Sequence, residues 1–536
     1  GYFLDNEVGW WNGALFIWYI KQPETNHTKQ ILVALLRDHY GDDWGEFGRD
    51  FLPPPGVASF DALLRTEGLI TRLRPGGEGI RVIRRFTGIV AERYYSLLHA
   101  ALRVADPEAL IFSDRLPIYY DPDAAAAMAP YVDVIATNYD IDTPDGWVGR
   151  YYFDGLRQLT GDKPVLISEW FFAAHENGTG NLNTGQLMTV QTQTQRARGA
   201  TAAARRLAGD PRIVGMHWFQ YYDHPQGGRP DGEDYNFGLV DIHDRPYEEL
   251  TAAFSRVNPA LAKIHAQGAR LFPTAHSEES VTSQKSTAVP IPADPGSAPE
   301  SGHSPGEDRE PGRHWTPTFA GVTTPRDAAD TGRYEIPEAD IHLDDSSLAE
   351  WPKEAAFVPG LVAQQAEVVF GDLYLAWNRA GLYLATISMD YYDPLLLAYG
   401  DAFPLEEAFR IEWGIDAGAG PHRFKLLFVP QKSLATNDDP LIRVHLCGMD
   451  GVGCRPIPSA AVSHVGEGIP RLIAETFIPW RAMGIDGPPP DGQLRLELAA
   501  RSFYRSRWMS WSGLAPERGL NQPARWRIVK LGRSSP

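Results

Sequence analysis

PVLISEW, residues 164–170, is the stretch of sequence that decides the fold of the first half of the chain. It is almost continuously apolar and ends in Ser168, Glu169 and Trp170. A parallel strand that is buried on both faces has this pattern when its carboxyl end opens on a site. The pattern recurs in four other stretches: GYFLDNE (1–7), ALIFSD (109–114), VDVIATNYD (132–140) and RIVGMHWFQYYD (212–223). Together the five stretches predict parallel strands whose polar ends meet at one edge.

Helix-like segments separate these strands, for example residues 86–104 and 189–207. Alternation of strand and helix predicts an α/β fold, and the polar strand ends favour a (β/α)8 TIM barrel. Five strands cannot close such a barrel. We therefore expect a partial barrel with strands 4–8 present and an N-terminally incomplete chain, so that the isolated piece could be inactive. The alternative is a complete, doubly wound domain of five strands.

Composition divides the chain into three regions. Residues 1–271 carry the strand and helix alternation, and residues 272–335 are rich in Pro, Ser, Gly and charge. The second composition cannot bury enough apolar surface to fold alone, which is typical of a linker. Residues 336–536 contain short alternating runs between turns, a pattern that predicts an all-β sandwich.

Charge and hydropathy narrow the class of partner. The formal net charge is −18 and no Lys/Arg-rich run is present, so nucleic acid and anionic membranes are unfavourable partners. No stretch approaches the roughly 18 to 20 apolar residues of a membrane span. Cys447 and Cys454 could close a small disulfide, which would suit a secreted protein, or remain as two free thiols. The sequence does not indicate the oligomeric state.

Two strand ends carry the groups that glycosidic bond cleavage requires. Hydrolysis with retention uses two carboxyl groups about 5 to 5.5 Å apart, one protonated and one ionised. Glu7 ends the first predicted strand and Glu169 ends the fourth. Rigid strand ends could hold this pair on opposite sides of a sugar. No GxSxG, HExxH or Walker-type motif offers a competing chemistry.

These motifs resemble clan A of the retaining glycoside hydrolases. Asn6-Glu7 closing one strand and Ser168-Glu169-Trp170 closing a strand three later match the clan's acid/base and nucleophile segments. The stretch GYFLDNEVGWW (1–11) and residues 216–250 are similar to segments of agarases and β-galactosidase-like enzymes. The resemblance covers about residues 1–265.

The resemblance implies roles for individual residues. Glu7 matches the general acid/base and Glu169 the nucleophile, while Asn6 matches a residue that binds the sugar 2-hydroxyl. Tyr139 matches an aromatic hydroxyl near the nucleophile, and Trp218 matches a sugar-stacking platform. Each aromatic ring could instead be packed in the core. The clan also has an Arg on its second strand. Because we expect that strand to be missing here, no residue is assigned to it.

Four further residues are candidates for substrate binding. They lie on the loops that follow the predicted strands, where solvated surface is the alternative: Trp10, His175, Glu233 and Asn236. The histidines do not fall at metal-ligand spacing, and the implied reaction uses no metal or organic cofactor.

The C-terminal region resembles family 9 carbohydrate-binding modules. The resemblance rests on LDDSSLAEW (343–351), AETFIPW (474–480) and WMSWSG (508–513). It implies a sandwich that could bind sugar through exposed Trp508 and Trp511, and it allows a structural Ca²⁺. A packing module with buried Trp is the alternative.

Two functions follow as hypotheses. The first is a secreted retaining glycoside hydrolase that cleaves β-linkages in a poly- or oligosaccharide, agarase- or β-galactosidase-like. The second is a non-catalytic carbohydrate-binding or surface-attachment protein.

Overall fold

The computed structural model describes most of the chain. The described residues are 1–11, 13–185, 187–271, 334–343, 348–364, 367–390, 392–400, 402–430, 442–449, 453–464 and 471–532. The predicted linker at 272–335 lies outside the described residues except for its last two positions. So does most of the acidic start of the predicted LDDSSLAEW motif.

The first region, residues 1–271, alternates strands and helices. Its strands are β1 (Tyr2–Phe3), β2 (Phe51–Leu52), β3 (Arg72–Leu73), β4 (Ile111–Phe112), β5 (Ile135–Asn138), β6 (Val165–Trp170), β7 (Ala173–Ala174), β8 (Thr189–Val190) and β9 (Ile213–Trp218). Its helices are α1 (Ala14–Ile20), α2 (His27–His39), α3 (Trp44–Asp50), α4 (Phe60–Arg65), α5 (Ile80–Ala105), α6 (Pro122–Met128), α7 (Arg150–Thr160), α8 (Gln193–Gly209) and α9 (Glu248–Leu271).

The five predicted strands are present as β1, β4, β5, β6 and β9, and they run parallel in chain order. β1 pairs with β4, and β6 pairs with both β5 and β9. Single bridges from Phe112 to Val134 and from Leu116 to Thr137 join β4 to β5. Within the described residues β1 and β9 do not pair with each other, and Tyr2, Phe3 and Val214 on these two strands are exposed. The carboxyl ends of the five strands therefore share one edge.

The second region, residues 334–532, is built mainly from strands. They are β10 (Glu335–Ile336), β11 (Val362–Ala363), β12 (Gly371–Trp377), β13 (Gly381–Ser388), β14 (Phe409–Asp416), β15 (Pro421–Pro430), β16 (Ile442–Gly448), β17 (Cys454–Pro456), β18 (Ser459–His464), β19 (Arg471–Pro479), β20 (Gln493–Arg501), β21 (Trp508–Ser510) and β22 (Arg527–Leu531). Two short helices, α10 (Lys353–Ala356) and α11 (Pro516–Gly519), complete it.

These strands form two sheets. The larger follows the order β10-β22-β20-β14-β15-β16-β17, with β21 and β11 beside β20, and the smaller follows β12-β13-β19-β18. Cys447 of β16 and Cys454 of β17 are joined by a disulfide, so the disulfide alternative is the one observed. Apart from the parallel β10–β22 pair, neighbouring strands are antiparallel. The strands predicted from the alternating runs are present.

The two Trp residues predicted to be exposed for sugar binding are not free platforms. Trp511 is buried, and its Nε1 donates to the Pro359 carbonyl at 2.8 Å. Trp508 is half-buried. The ring of Trp511 packs in the core of the second region because an indole buried at an inward strand position removes a large apolar area from water. The alternative of a packed Trp is correct for Trp511.

In the four-stranded sheet, β12 and β13 are buried on both faces, since every residue of these two strands is buried. On one face Leu373, Leu375 and Leu384 pack in the core that contains the larger sheet. On the other face Tyr374 and Ala385 pack in the core of the first region. Successive side chains of a strand point to opposite faces, so one sheet serves both cores. The second region is therefore packed directly on the first.

Helix α7 in the first region begins on a side chain from the second. Its N-cap residue, Gly149, has no side chain that could accept from the first turn. Instead, the buried Asp372 carboxylate of β12 accepts from the Arg150 N–H at 2.6 Å and the Tyr151 N–H at 3.1 Å. Burial raises the pKa of Asp372 to about 7. A carboxylate at a helix N-terminus satisfies orphan donors and complements the helix dipole.

We predict that Asp372→Ala lowers the free energy of unfolding by about 2 kcal/mol, because the N–H groups of Arg150 and Tyr151 lose their acceptor. Chemical denaturation of the purified protein measures the change. Asp43→Ala is the matched control, since Asp43 caps α3 at an exposed position within its own region. The control should cost less, and equal losses in the two variants would contradict a role for Asp372 between the regions.

Candidate active site

Four polar side chains meet where parallel strands end. Glu7 follows β1, Arg115 follows β4, Asn138 ends β5 and Glu169 lies in β6. Adjacent parallel strands present their carboxyl ends at the same edge, where ligand sites of open and closed α/β sheets form. The sequence-predicted pair Glu7 and Glu169 thus lies on one edge of the sheet.

Glu7 is held in place from two neighbouring strands. Its backbone has φ of 50°, and its N–H donates to the Asp114 carbonyl at 3.0 Å. The Asn138 Nδ2 donates to the Glu7 Oε1 at 3.0 Å and to the Asn6 Oδ1 at 3.1 Å. The Ser168 hydroxyl donates to the Asn138 Oδ1 at 2.7 Å. Because this oxygen accepts from Ser168, the amide nitrogen of Asn138 faces Asn6 and Glu7.

Glu169 is paired with a cation. The Arg115 Nη1 lies 2.7 Å from the Glu169 Oε1, and the Glu169 side chain is 18% exposed. Burial raises the pKa of Glu169, Arg115 opposes that rise, and the negative charges of Glu7 and Glu233 add to it. Such electrostatic influence falls with distance, so it places these carboxyl groups in one neighbourhood. Arg115 favours the ionised form of Glu169.

Glu233 reaches this neighbourhood from the loop after β9. Its Oε2 lies 3.3 Å from the Arg229 Nη1 and 3.7 Å from the His224 Nε2. Burial raises the pKa of Glu233, and Glu7 is among the charges that raise it further. Gly228 in this loop has φ of 85°, and a Cβ there would lie 2.9 Å from the Glu233 carbonyl oxygen. The loop shape therefore requires glycine. Among the predicted loop residues, Glu233 is thus linked to the two glutamates by charge: Glu7 acts on it, and it acts on Glu169.

The predicted role of Tyr139 is wrong. The side chain is buried, and its hydroxyl donates to the Asp142 Oδ2 at 2.6 Å. Its main-chain N–H, rather than its ring, contacts Glu169, by donating to the Glu169 carbonyl at 2.8 Å. Side chains alternate along a strand, so with Asn138 turned to the site Tyr139 points away from it. The polar residue that β5 supplies to the site is Asn138.

The predicted stacking role of Trp218 is also not supported. Strand register pairs Trp218 with Trp170, and Trp170 follows Glu169, which faces the site. Both indoles lie on the helix side of the sheet, where they pack against Phe254 of α9. There the Trp218 ring lies 5.0 Å from the rings of both Trp170 and Phe254, and its Nε1 donates to the Phe237 carbonyl. It acts as a packing residue.

Two more predicted substrate contacts are structural. Trp10 is buried, and its Nε1 donates to the Asp114 Oδ2 at 3.0 Å and contacts the Tyr95 hydroxyl. Asn236 is fully buried, and its Oδ1 accepts from the Ala174 N–H at 2.8 Å. The Trp10 indole nitrogen and the Asn236 side-chain oxygen each hold a neighbouring group, as buried polar atoms commonly do. His175 is exposed, and its substrate role stays a prediction.

Sequence reasoning gave no role to three residues of the site, although one of them, Ser168, stands in the quoted Ser168-Glu169-Trp170 motif: Arg115, Asn138 and Ser168. Each had the signal that identified the two glutamates, namely a polar side chain at the end of an apolar strand. Arg115 comes directly after the predicted stretch ALIFSD, which stopped one residue short of it. Asn138 directly precedes Tyr139, the residue of this strand to which the resemblance gives a role. Alternation tells which residues of a strand share a face, but the sequence alone does not tell which face is turned to the site.

In the part of the chain that the structure describes, no group of three or more His, Cys, Asp or Glu side chains could hold a metal ion. The Ca²⁺ expectation for the second region stays a prediction.

Among the described helices, none combines the length and apolar composition needed to cross a bilayer.

The chain is similar in sequence to β-agarases. β-Agarase B of Vibrio sp. (strain JT0107) is 30% identical over 284 residues, which cover 48% of this chain and 27% of that protein. β-Agarase A of the same strain is 32% identical over 171 residues, which cover 31% of this chain and 17% of that protein. The chain thus spans about a quarter or less of the length of these relatives. No family model matches it.

Among solved structures, the crystal structure of an agarase, AgWH50C, aligns with a TM-score of 0.40 and 25% sequence identity. The alignment covers 49% of this chain and 37% of that chain.

We predict that Arg115→Met raises the pKa of Glu169, because Arg115 is the strongest of the charges that lower it. The higher pKa would leave less Glu169 ionised at any given pH between the two values. NMR titration of ¹³C-labelled glutamate side chains measures this pKa. Arg229→Met is the control, because Arg229 lowers the same pKa to a smaller extent. A titration that is unchanged in Arg115→Met would contradict the pairing.

Proposed function

We propose that this chain carries the catalytic pair of a retaining glycoside hydrolase that cleaves β-linkages in a polysaccharide. The observation that carries the proposal is the paired environment of the two glutamates. Glu169 is mostly buried and ion-paired with Arg115, while Glu7 is exposed and hydrogen-bonded by a neutral amide. Two carboxyl groups in different environments are what separate nucleophile and acid roles require. A partial TIM barrel is the architecture we propose around them.

Glu169 is proposed as the nucleophile. Its ionised Oε atoms attack the anomeric carbon while the bond to the leaving-group oxygen breaks, giving a glycosyl ester on Glu169. Arg115 keeps the carboxylate charged despite the burial that raises its pKa. An ionised nucleophile is available only above that raised pKa, so activity falls as the pH drops through it.

Glu7 is proposed as the acid/base. In the first step it gives its proton to the leaving-group oxygen, and in the second it takes a proton from the water that attacks the glycosyl ester. The hydrolysed sugar leaves with its original anomeric configuration, and Glu169 is again a carboxylate. Asn138 fixes the position of Glu7 through the 3.0 Å hydrogen bond to Oε1. This cycle uses no metal or organic cofactor.

Asn6 and Glu233 are proposed to bind sugar hydroxyls. The Asn6 side-chain oxygen already accepts from Asn138, so its Nδ2 is oriented to donate to the 2-hydroxyl. Glu233 offers a carboxylate on the loop after β9, and the charge of Glu7 acts on it. Acidic residues are well suited to accept from the several hydroxyls of a neutral sugar.

The substrate that we propose is a β-linked galactan such as agarose. The support is the sequence similarity to β-agarases A and B. The disulfide between Cys447 and Cys454 is compatible with our further proposal that the protein is secreted, since disulfides persist in oxidising compartments. The net charge of −18 would not hinder binding to a neutral polymer.

We predict that Glu169→Gln abolishes measurable hydrolysis and that Glu7→Gln lowers kcat by about 10²- to 10⁴-fold, the range expected for loss of a general acid/base. Reducing-end release from agarose and hydrolysis of aryl β-galactosides, β-glucosides and β-mannosides measure both effects. NMR of the first-formed product gives its anomeric configuration. Glu46→Gln, a surface change beside Arg49, serves as the control and should remain active.

Undiminished turnover in Glu169→Gln would overturn the nucleophile assignment, and an inverted product would overturn the mechanism. A wild-type chain that binds agarose without cleaving it, with binding unchanged in Glu169→Gln, would instead favour the carbohydrate-binding alternative.

A further inference from the structure

The segment that follows β5 is held by an arginine from the second region. We propose that Arg471 of β19 is a positioning residue for the active site, acting through Asp140 and Asp142 on Asn138 and thereby on Glu7. The effect on catalysis rests on the proposed function, whereas the effect on the position of Asn138 does not.

Arg471 makes three close contacts across the boundary between the regions. Its Nη1 donates to the Asp140 carbonyl at 2.6 Å and to the Asp142 Oδ1 at 2.9 Å. Its Nη2 donates to the Asp140 Oδ2 at 2.9 Å. All three side chains are at least 98% buried. A guanidinium group can bind two carboxylates and a carbonyl at once because its donors form a rigid planar fork.

The two aspartates are connected to the site by short, buried contacts. Asp142 also accepts from the Tyr139 hydroxyl at 2.6 Å and from the Gly149 N–H at 2.7 Å. Tyr139 directly follows Asn138, and its N–H donates to the Glu169 carbonyl at 2.8 Å. With Tyr139 fixed at its hydroxyl and at its N–H, the alternation of β5 directs Asn138 toward Glu7. Arg471 thus stabilises the orientation of the amide that holds Glu7.

Other contacts from the second region fix the same segment, residues 139–149, at further points. The Lys353 Nζ lies 2.8 Å from the Asp145 Oδ2, and the Trp147 Nε1 donates to the Tyr374 hydroxyl at 2.8 Å. The segment leads directly into α7, whose N-terminus is capped by Asp372. Arg471 is the contact nearest in sequence to Asn138, and it carries the charge that balances two buried carboxylates.

The electrostatics explain why lysine should not fully replace arginine at this position. Burial raises the pKa of Asp140 to about 6 even though Arg471 opposes the rise. Without a cation, two buried carboxylates would face each other and the segment would have to move or take up protons. A lysine would restore the charge but could not bind both carboxylates and the carbonyl in one planar arrangement.

Arg507 provides a matched control within the same region. It is equally buried and pairs with the buried Asp390 at 2.7 Å. Its main-chain N–H donates to the Ser502 hydroxyl at 3.1 Å. Its guanidinium lies 5.3 Å from the Phe370 ring centroid. These partners all belong to the second region, and none belongs to the 139–149 segment. Loss of either ion pair should weaken the fold, but only the Arg471 pair should affect Asn138.

The experiment compares Arg471→Lys, Arg471→Met and Arg507→Lys in the full chain. Thermal unfolding, kcat and KM on agarose, and hydrogen exchange of residues 5–8 and 137–149 are measured for each. We expect Arg471→Lys to lower kcat about 100-fold with little change in KM, the size of effect that a 1 Å misplacement of a catalytic group can cause. Arg471→Met should lose more, and Arg507→Lys should keep kcat near the wild-type value at a similar loss of thermal stability.

Hydrogen exchange separates this proposal from the proposed function. Faster exchange at 5–8 and 137–149 in Arg471→Lys, but not in Arg507→Lys, supports the positioning role even if the wild-type chain cleaves no glycoside. Unchanged exchange in these two segments would overturn it, as would parallel losses of kcat in the two Lys variants. Absence of any wild-type hydrolysis would count against the proposed function alone.

Discussion

The rest of this structure depends on the four-stranded sheet whose strands β12 and β13 are buried on both faces. Its strands β12 and β13 have no exposed residue, since leucines on one face and Tyr374 with its neighbours on the other belong to two different cores. Separating the two regions would expose one whole face of that sheet to water, which would be costly in apolar area. The second region is for this reason part of the folding unit that contains the site.

That packing has consequences for the site as well as for stability. The sheet presents Tyr374 and Arg471 to the segment between β5 and α7, and Asp372 to the first turn of α7. Each of them pairs with a polar group there. Buried charges of this kind are tolerated when they are paired and hydrogen-bonded. They also fix the geometry more sharply than apolar contact could, because hydrogen bonds depend on direction as well as distance. The strand that supplies Asn138 is thus fixed from outside its own sheet.

The site itself illustrates how strand alternation selects function. In β6, Glu169 faces Arg115 while Trp170 faces the helix layer, and at the end of β5, Asn138 faces Glu7 while Tyr139 is buried. Neighbouring residues of one strand therefore take opposite roles. Choosing between them from sequence requires knowing which face is which. The sequence indicates the environment of Glu169 correctly because a carboxylate at the end of an apolar strand is seldom part of a hydrophobic core. Aromatic residues are common in cores, so Tyr139, Trp218 and Trp10 were assigned to the wrong environment.

The sequence by itself determined the class of the first region, its five parallel strands, the β-rich second region and the two glutamates at strand ends. Local pattern was sufficient there, because apolar runs and polar strand ends reflect burial that each strand experiences alone. The alternating runs that predict β12 and β13 did not indicate that both faces of these strands are buried, which only the packed structure shows.

Only the tertiary structure decided the partners. Arg115 with Glu169, Asn138 with Glu7, and Arg471 with Asp140 are separated by 54, 131 and 331 residues along the chain. No local pattern specifies such pairs, because the free energy of each contact depends on distance and direction that the packed cores set.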